Sequence, residues 1–221
     1  MEFKGTITAL ATPFCIDGTV DWGKLGELVD EQIAAGIDGL VPVGTSGESP
    51  TLNMEEHGKV IEFVTKRAAG RTKIIAGTGA NSTAEAIHLT REAKEIGVDG
   101  TLQVCPYYNK PSQEGLYRHY MEVADIGLPV VLYNVPGRTG REIAVDTIAR
   151  LARHPGIVAV KEAAGSVTRV SAILDVCDIT VLCGDDMLTV PMISVGAQGV
   201  VSVASNVIPR EMLELTHAAL A

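Results

Sequence analysis

One lysine stands where an apolar run of the sequence ends. In the segment IVAVKEAAGS, Lys161 directly follows the apolar residues 157–160. Burial disfavours the ammonium form of lysine and lowers its pKa, and a neutral amine attacks a ketone to form a Schiff base. The alternative is a lysine at the rim of a sheet, paired with a neighbouring carboxylate. Which of the two applies depends on what the rest of the chain places around Lys161.

Two further segments carry groups that suit a carboxylate. The loop VGTSGES, residues 43–49, combines glycines with the hydroxyls of Thr45 and Ser46, and its backbone N–H groups fit a carboxylate or phosphate. Arg138 follows a Pro-Gly bend in YNVPGRTG, and an arginine pairs with a carboxylate in bidentate fashion. Ordinary turn chemistry is the alternative for the loop, and a structural clamp between loops is the alternative for Arg138.

Metal ligands find little support in the sequence. The histidines fall on or just after predicted helices, which indicates helix packing or surface positions; they are His57, His88, His119, His154 and His217. Asp185 and Asp186 could bind a cation, but no third ligand is close in sequence. The other interpretation is that they cap the helix predicted to begin at Met187. We therefore expect no metal site.

The cysteines indicate a reduced protein. Cys15, Cys105, Cys177 and Cys183 form no C-x-x-C pair, and the last three lie in or beside apolar runs. We expect thiols that are mostly buried, with no disulfide or metal role.

Composition limits the class of protein. The 221 residues are 46% hydrophobic and carry a net charge of −9. An acidic chain is a poor general partner for nucleic acid or an anionic membrane, and no apolar run is long enough for a transmembrane helix. The first residues lack a signal-peptide pattern, so a cytoplasmic location is the default expectation.

Strand-like and helix-like segments alternate along the whole chain. The strand candidates are mostly continuous apolar runs, which is typical of strands covered on both faces; they are residues 6–12, 39–43, 73–77, 100–104, 130–134, 158–161, 180–183 and 200–203. The helix candidates show apolar residues at helical spacing or helix-start signals; they are residues 21–35, 53–69, 82–96, 112–126, 145–153, 166–176, 187–195 and 209–220.

Eight strand–helix units predict an α/β fold with a parallel sheet, closed as a (β/α)8 TIM barrel. An open doubly wound sheet is the alternative, and the absence of a G-x-G-x-x-G motif weakens it. No linker or low-complexity stretch interrupts the sequence, so residues 1–221 are expected to form one domain. Active sites of such barrels lie at the carboxyl ends of the strands. Lys161, Thr45, Tyr133 and Arg138 all occupy such positions.

The motifs at these strand ends occur in a recognisable order: GTSGES, AGTGAN, PYYNKPSQEGLYRHY, LYNVPGRTG, VKEAAG, GDD and GVVSVASN. Together they resemble the dihydrodipicolinate synthase family of the pyruvate-dependent class I aldolase superfamily. The resemblance covers essentially all 221 residues. Members of this family continue into a C-terminal helical segment, which this sequence, ending at Ala221 in the predicted eighth barrel helix, lacks.

The resemblance implies catalytic roles. Lys161 would condense with the keto group of pyruvate, and Tyr133 would relay protons during imine formation and carbon–carbon bond formation. Thr45 would link Tyr133 to Tyr108, which in this family reaches the site from the neighbouring subunit of a homo-oligomer. No cofactor is implied, because the covalent pyruvate on Lys161 takes that place.

The resemblance also implies binding residues. Thr45 and Ser46 would hold the pyruvate carboxylate, and Arg138 would hold the carboxylate of L-aspartate 4-semialdehyde, with Gly184 and Val201 lining the pocket. The product would be 4-hydroxy-tetrahydrodipicolinate, a precursor in the diaminopimelate and lysine pathway. L-Lysine inhibits some members, and the positions that match their inhibitor site are Ser49, His57, Asn81, Glu85 and Tyr107.

Two other functions stay open at the level of sequence. The first is another pyruvate aldolase, which cleaves N-acetylneuraminate or a 2-keto-3-deoxy sugar acid; Arg138 argues against it, because such substrates require groups that recognise hydroxyls. The second is a truncated barrel that binds pyruvate or lysine with impaired or no turnover, an interpretation motivated by the short C-terminus.

Overall fold

The computed structural model describes residues 2–221 and shows eight parallel strands closed into a barrel. Neighbouring strands pair in chain order, and β8 closes on β1 with Ile7 opposite Val201. The predicted TIM barrel is therefore confirmed, and the open sheet is excluded. The strands are β1 (Gly5–Ala9), β2 (Gly39–Val41), β3 (Lys73–Gly77), β4 (Gly100–Val104), β5 (Val130–Asn134), β6 (Ile157–Glu162), β7 (Thr180–Cys183) and β8 (Gly199–Ser202).

Helices surround the barrel in the predicted order. They are α1 (Trp22–Ala35), α2 (Met54–Ala68), α3 (Thr83–Ile96), α4 (Gln113–Ala124), α5 (Pro136–Thr139), α6 (Val145–Leu151), α7 (Val167–Val176), α8 (Thr189–Ile193) and α9 (Pro209–Leu220). Short 3-10 turns follow β2, β7 and β8, at Thr45–Gly47, Ser49–Thr51, Asp186–Leu188 and Ala204–Asn206. Among residues 2–221, no helix is long and apolar enough to cross a bilayer.

The structure differs most from the sequence prediction at three elements. The first strand ends at Ala9 rather than at residue 12, and beyond it Phe14 forms an antiparallel bridge with Val20. The helix expected over residues 187–195 is a 3-10 turn followed by the five-residue helix α8. The short helix α5 was not predicted, and it begins at a proline, whose fixed φ suits the first turn of a helix.

Glycines allow the helix-to-strand joints to turn and to pack closely. In the joint GVDG, Gly97 ends α3 with a φ of 90°, in the left-handed region that other residues avoid. At Gly100 an added Cβ would lie 2.7 Å from the ring of Phe3 and 2.9 Å from the carbonyl oxygen of Pro129. The second glycine therefore lets β4 begin against its neighbours, as the sequence pattern predicts.

Apolar side chains fill both the barrel and the layer outside it. The lumen holds a cluster that includes Ile7, Leu102, Tyr133 and Leu182. Two larger clusters lie between the strands and the helices, one around α1–α3 and one around α4–α9. Because side chains alternate along a strand, successive residues of a strand face the lumen and the helical layer in turn, and this alternation decides which side chains reach the site.

A set of apolar side chains is exposed on the outer faces of α7, α8 and α9, which are neighbours in the helical layer. Apolar patches of this kind are typical of surfaces that pack against other protein segments. The exposed residues are Leu174, Val176, Val190, Val195, Leu215 and Leu220; the last of these ends α9.

Candidate active site

Lys161 and Tyr133 face each other inside the barrel. They are paired in register on the adjacent strands β6 and β5, and their side chains enter the lumen because Ala159 and Val131, two positions earlier, do so too. The Lys161 Nζ lies 4.1 Å from the centroid of the Tyr133 ring. Only 4% of Lys161 and 5% of Tyr133 is exposed. The predicted placement of an amine beside a phenol is therefore present.

The surroundings of Lys161 shift its amine towards the neutral form. Its Nζ forms no hydrogen bond or ion pair with any of residues 2–221, so the alternative of a rim ion pair is wrong. Burial lowers the pKa of Lys161 from 10.5 to about 8, against the charge of Asp186, which raises it. Gly184 makes room for the chain, since an added Cβ would lie 3.1 Å from Lys161 Cε. With a pKa of about 8, about one molecule in ten carries the free amine at neutral pH.

Asp186 is a part of this environment that the sequence analysis did not assign to the site. Its Oδ2 accepts hydrogen bonds from the backbone N–H groups of Val203 and Ala204 at 3.0 and 2.9 Å. Its other carboxylate oxygen, Oδ1, is buried and has no partner. Asp185 caps the 3-10 turn by accepting from Met187 N at 3.1 Å, as the capping interpretation predicts. A signal for Asp186 existed in the sequence, because it follows the strand next to β6.

The Tyr133 phenol remains protonated at neutral pH. Burial raises its pKa above the ordinary value of 10, and the Thr45 hydroxyl and the charge of Arg138 oppose that rise. Tyr133 therefore enters a reaction as a proton donor, with Thr45 as the adjacent hydroxyl. The proton relay from Tyr133 through Thr45 stays a prediction.

A cavity of about 250 Å³ opens at the carboxyl ends of β2 to β5. Its lining combines apolar strand ends with a few polar groups and one arginine. The guanidinium of Arg138 forms no hydrogen bond or ion pair with residues 2–221, so the clamp interpretation finds no contact to support it. The polar residues in this lining include Thr45, Ser49, Tyr107, Tyr133, Arg138 and Thr139.

The GTSGES loop presents backbone donors at the edge of this cavity. The N–H groups of Thr45 and Ser46 open the 3-10 turn Thr45–Gly47, and neither donates a hydrogen bond to another residue of 2–221. Val43, just before the turn, has a φ of 48° although it is β-branched. Such strain is uncommon and concentrates at functional sites. The loop therefore has free donors and a constrained backbone, as an anion site requires.

Two residues that were predicted to line the pocket lie inside the barrel, and one predicted catalytic residue lies outside the cavity. Val201 is in the lumen cluster and Gly184 lies against Lys161. Tyr108 is 91% exposed with a φ of 69°, and the structure does not bring it to the cavity of its own chain. The link from Thr45 to Tyr108, which the resemblance places between neighbouring subunits, stays a prediction.

The residues that match the lysine site are gathered beside the cavity. Ser49 and Tyr107 line it, and burial and the nearby carboxylate of Glu85 raise the pKa of Tyr107, while the Asn81 backbone opposes this. His57 is buried in α2 with both ring nitrogens unpartnered, and burial lowers its pKa to about 4. His57 is therefore neutral, and Glu85 is the charged group of the set.

The buried histidine of α4 and two of the cysteines pack in the interior. His119 is buried in α4 with a pKa lowered to about 4 by burial, and its Nδ1 lies 2.9 Å from the Thr83 hydroxyl. Cys105 and Cys183 are buried, whereas Cys177 is half-buried and Cys15 is exposed. Among residues 2–221, no group of three or more His, Cys, Asp or Glu side chains is arranged to hold a metal ion.

Comparison with known proteins places this geometry in a family. The model of the "Dihydrodipicolinate synthetase family" matches residues 2–221. The chain belongs to the dihydrodipicolinate synthetase family. A 4-hydroxy-tetrahydrodipicolinate synthase from Geotalea daltonii is 56% identical over 219 residues, which are 98% of this chain and 75% of the relative. This chain therefore spans about three quarters of the length of that synthase.

Solved structures of this family share the fold and two of them contain ligands. The dihydrodipicolinate synthase of Acinetobacter baumannii, chloride inhibited and complexed with pyruvate, superposes with a TM-score of 0.96 at 48% identity, over 98% of this chain and 76% of that one. The dihydrodipicolinate synthase of Cyanidioschyzon merolae with lysine bound has a TM-score of 0.94 at 42% identity, over 97% of this chain and 74% of that one. The resemblance inferred from the motifs is confirmed.

Proposed function

We propose that this chain condenses pyruvate with L-aspartate 4-semialdehyde to form 4-hydroxy-tetrahydrodipicolinate, as a lyase of lysine and diaminopimelate biosynthesis. The observation that carries the proposal is the unpaired, buried amine of Lys161 against the Tyr133 ring. The relatives named for this activity, at up to 57% identity over 98% of the chain, support it. Neither the sugar-acid aldolase nor the non-catalytic barrel has a comparable observation in its favour.

The first half of the reaction forms an enamine on Lys161. The neutral Nζ attacks the keto carbon of pyruvate, Tyr133 supplies a proton to the departing oxygen, and water leaves as the iminium forms. The iminium withdraws electrons, so the pyruvate methyl group loses a proton and becomes a nucleophilic enamine carbon. The N–H groups and hydroxyls of Thr45 and Ser46 hold the pyruvate carboxylate during these steps.

The second half joins the two substrates. The enamine carbon attacks the aldehyde carbon of the semialdehyde, whose carboxylate pairs with the unpartnered guanidinium of Arg138. The new alkoxide takes a proton from the relay that includes Tyr133 and Thr45. The amine of the second substrate then displaces Lys161 from the iminium carbon, which closes the ring and frees the enzyme. Gly184 and Val201 shape the space around Lys161.

The proposed reaction requires no separate cofactor, but it requires a second copy of the chain. The covalent link to pyruvate makes a separate cofactor unnecessary for this chemistry. Tyr108 is exposed on its own chain, so it serves as the outer end of the relay only if it enters the cavity of another copy. A homo-oligomer is therefore part of the proposed function.

Trapping the imine tests the proposal. Borohydride reduction with pyruvate should attach a reduced pyruvate to Lys161, located by peptide mass spectrometry, and the initial trapping rate should rise between about pH 6 and pH 8 as the amine loses its proton. Adding the semialdehyde should consume pyruvate, whereas N-acetylneuraminate should release none. The absence of an adduct on Lys161 would reject the proposal, and pyruvate release from N-acetylneuraminate would favour the other aldolase.

We further propose that L-lysine inhibits the enzyme at the site formed by Ser49, His57, Asn81, Glu85 and Tyr107. Glu85 is the group that pairs with the lysine ammonium. Glu85→Gln should therefore raise the lysine concentration for half inhibition about tenfold or more, since hydrogen bonds to charged groups contribute about 1.5–3 kcal/mol. The rate should be measured against lysine.

Glu95→Gln is the matched control for Glu85→Gln, because Glu95 is exposed near the other end of α3. This variant should respond to lysine as the unaltered protein does. A rate that does not fall with millimolar-range lysine in the unaltered protein would contradict the proposal of inhibition.

A further inference from the structure

A buried carboxylate lies directly behind the reacting lysine. Glu162 follows Lys161 on β6 and is 0% exposed. Because side chains alternate along a strand, Lys161 enters the lumen while Glu162 points outward, towards the helical layer. Asn134 stands in the same relation to Tyr133 on β5, and Asn134 and Glu162 are paired in register. The two outward residues thus follow the two residues that the proposed function places at the chemistry.

The Glu162 carboxylate is satisfied by three residues. Asn134 Nδ2 donates to its two oxygens at 2.9 and 3.0 Å. Arg169 Nε donates to Oε2 at 3.1 Å, and the backbone N–H of Ala164 donates to Oε1 at 2.8 Å. The guanidinium of Arg169 therefore neutralises the charge of Glu162. The hydrogen bonds of the Glu162 carboxylate connect β6 to β5 and to the first turn of α7.

Arg169 and Asn134 extend this arrangement to the segment between α5 and α6. Arg169 Nη2 donates to the carbonyl of Ile143 at 2.9 Å, and Nη1 pairs with Glu142 at 2.7 Å. Asn134 Oδ1 accepts from the backbone N–H of Ile143 at 2.9 Å. The network therefore joins β5 and β6 to the segment between α5 and α6.

We propose that Glu162, Asn134 and Arg169 form a positioning network that fixes the register of Tyr133 opposite Lys161. The argument rests on the proposed function, since it assigns these residues to the support of that reaction. The pairing of β5 with β6 is not uniform along its length, because its register shifts between Val130 and Val131. The network pins the other end of the pair, where the chemistry lies.

The geometry predicts a loss in turnover rather than in binding. A displacement of about 1 Å between reacting groups costs about 100-fold in rate. Arg169→Gln leaves the Glu162 charge buried without its cation, so kcat per folded molecule should fall about 10- to 100-fold. The KM for the semialdehyde should change less than about threefold, because Arg138 is unaltered.

A second variant keeps the test decisive if Arg169→Gln does not fold. Glu162→Gln preserves the shape of the side chain and removes the charge, and its kcat should fall about tenfold. The double variant Glu162→Gln with Arg169→Gln should recover part of the loss of Arg169→Gln, because no unpaired charge remains in the interior. A role in stability alone would move the unfolding midpoint and leave kcat per folded molecule unchanged.

The control is a surface arginine–glutamate pair that lies on two helices and on neither catalytic strand. Arg150 pairs with Glu114 at 2.9 Å between α6 and α4, and both side chains are about half exposed. Arg150→Gln should leave kcat and the trapping rate unchanged. Each variant is compared by kcat, KM and borohydride trapping of pyruvate at a temperature where circular dichroism shows it folded.

The outcomes separate this inference from the proposed function. If the unaltered protein forms the pyruvate adduct and folded Glu162→Gln keeps kcat within about twofold of it, the positioning network is rejected and the proposed function stands. If the unaltered protein forms no adduct on Lys161, both are rejected. A loss of kcat without recovery in the double variant also rejects the network, because the loss then does not come from the coupling of Glu162 with Arg169.

Discussion

Lys161→Met should abolish the condensation and stabilise the protein at the same time. Activity should fall by a factor on the order of 10⁴ or more, because the variant has no nucleophile for the keto carbon. The free energy of unfolding should rise by about 3 kcal/mol near neutral pH. That figure is the difference between an unfolded pKa of 10.5 and a folded pKa of about 8, at about 1.4 kcal/mol per unit.

The sign of this effect follows from proton binding. The folded-state pKa is depressed, so between about pH 8 and pH 10.5 the unfolded chain binds more protons than the folded chain at Lys161. The stability of the unaltered protein therefore rises with pH across that window, and the advantage of Lys161→Met should shrink by roughly half at about pH 9.5. Denaturant unfolding at about pH 7 and about pH 9.5 measures both values.

Lys59→Met is the control for this prediction, because Lys59 is exposed on α2 and pairs with Glu55 on the surface. Its effect on stability should stay within about 0.5 kcal/mol. If Lys161→Met were less stable than the unaltered protein at neutral pH, Lys161 would be contributing to the fold, and the amine would not be held at a cost to stability. The expected result is the reverse, a site that trades stability for reactivity.

The barrel was predictable because its physical causes are local. Buried parallel strands show as continuous apolar runs, and six of the eight strands begin and end within one residue of their predicted bounds, while β1 ends three residues early and β2 two residues early. Helix starts were marked by polar caps, such as Asp21, whose side chain accepts from Lys24 N. Elements stabilised by such short-range signals are visible in one sequence.

The site was predictable only in part, because it depends on contacts between distant segments. The position of Lys161 at a strand end followed from the pattern of the sequence, whereas its burial became visible only in the structure. The register that sets it opposite Tyr133 and the proximity of Asp186 required the closed barrel. The burial of Glu162 was not predictable, because an acidic residue directly after an apolar run is typical of a solvated strand end. Glu162 can be buried because the guanidinium of Arg169, seven residues later, pairs with its carboxylate.

Tyr133→Phe should lower kcat by about 100- to 10,000-fold, the range for removal of a general acid–base group. The substitution removes only the hydroxyl, so the ring still packs on Lys161 and fills the lumen. Because burial keeps the phenol protonated, the lost function is donation of a proton to the departing oxygen and to the new alkoxide. Steady-state kinetics should show the loss in kcat, with a smaller change in KM.

Trapping distinguishes a lost proton relay from a displaced lysine in this variant. The Tyr133→Phe protein should still give the borohydride adduct on Lys161, but at a rate reduced in step with kcat, since the amine and its pocket remain. Tyr117→Phe, on α4 beneath the guanidinium of Arg150, serves as the control and should keep its full rate. A Tyr133→Phe protein with kcat within about threefold of the unaltered protein would show that another group delivers the proton. Thr45, whose hydroxyl lies beside the phenol, would then be the residue to substitute next, because it is the other hydroxyl of the proposed relay.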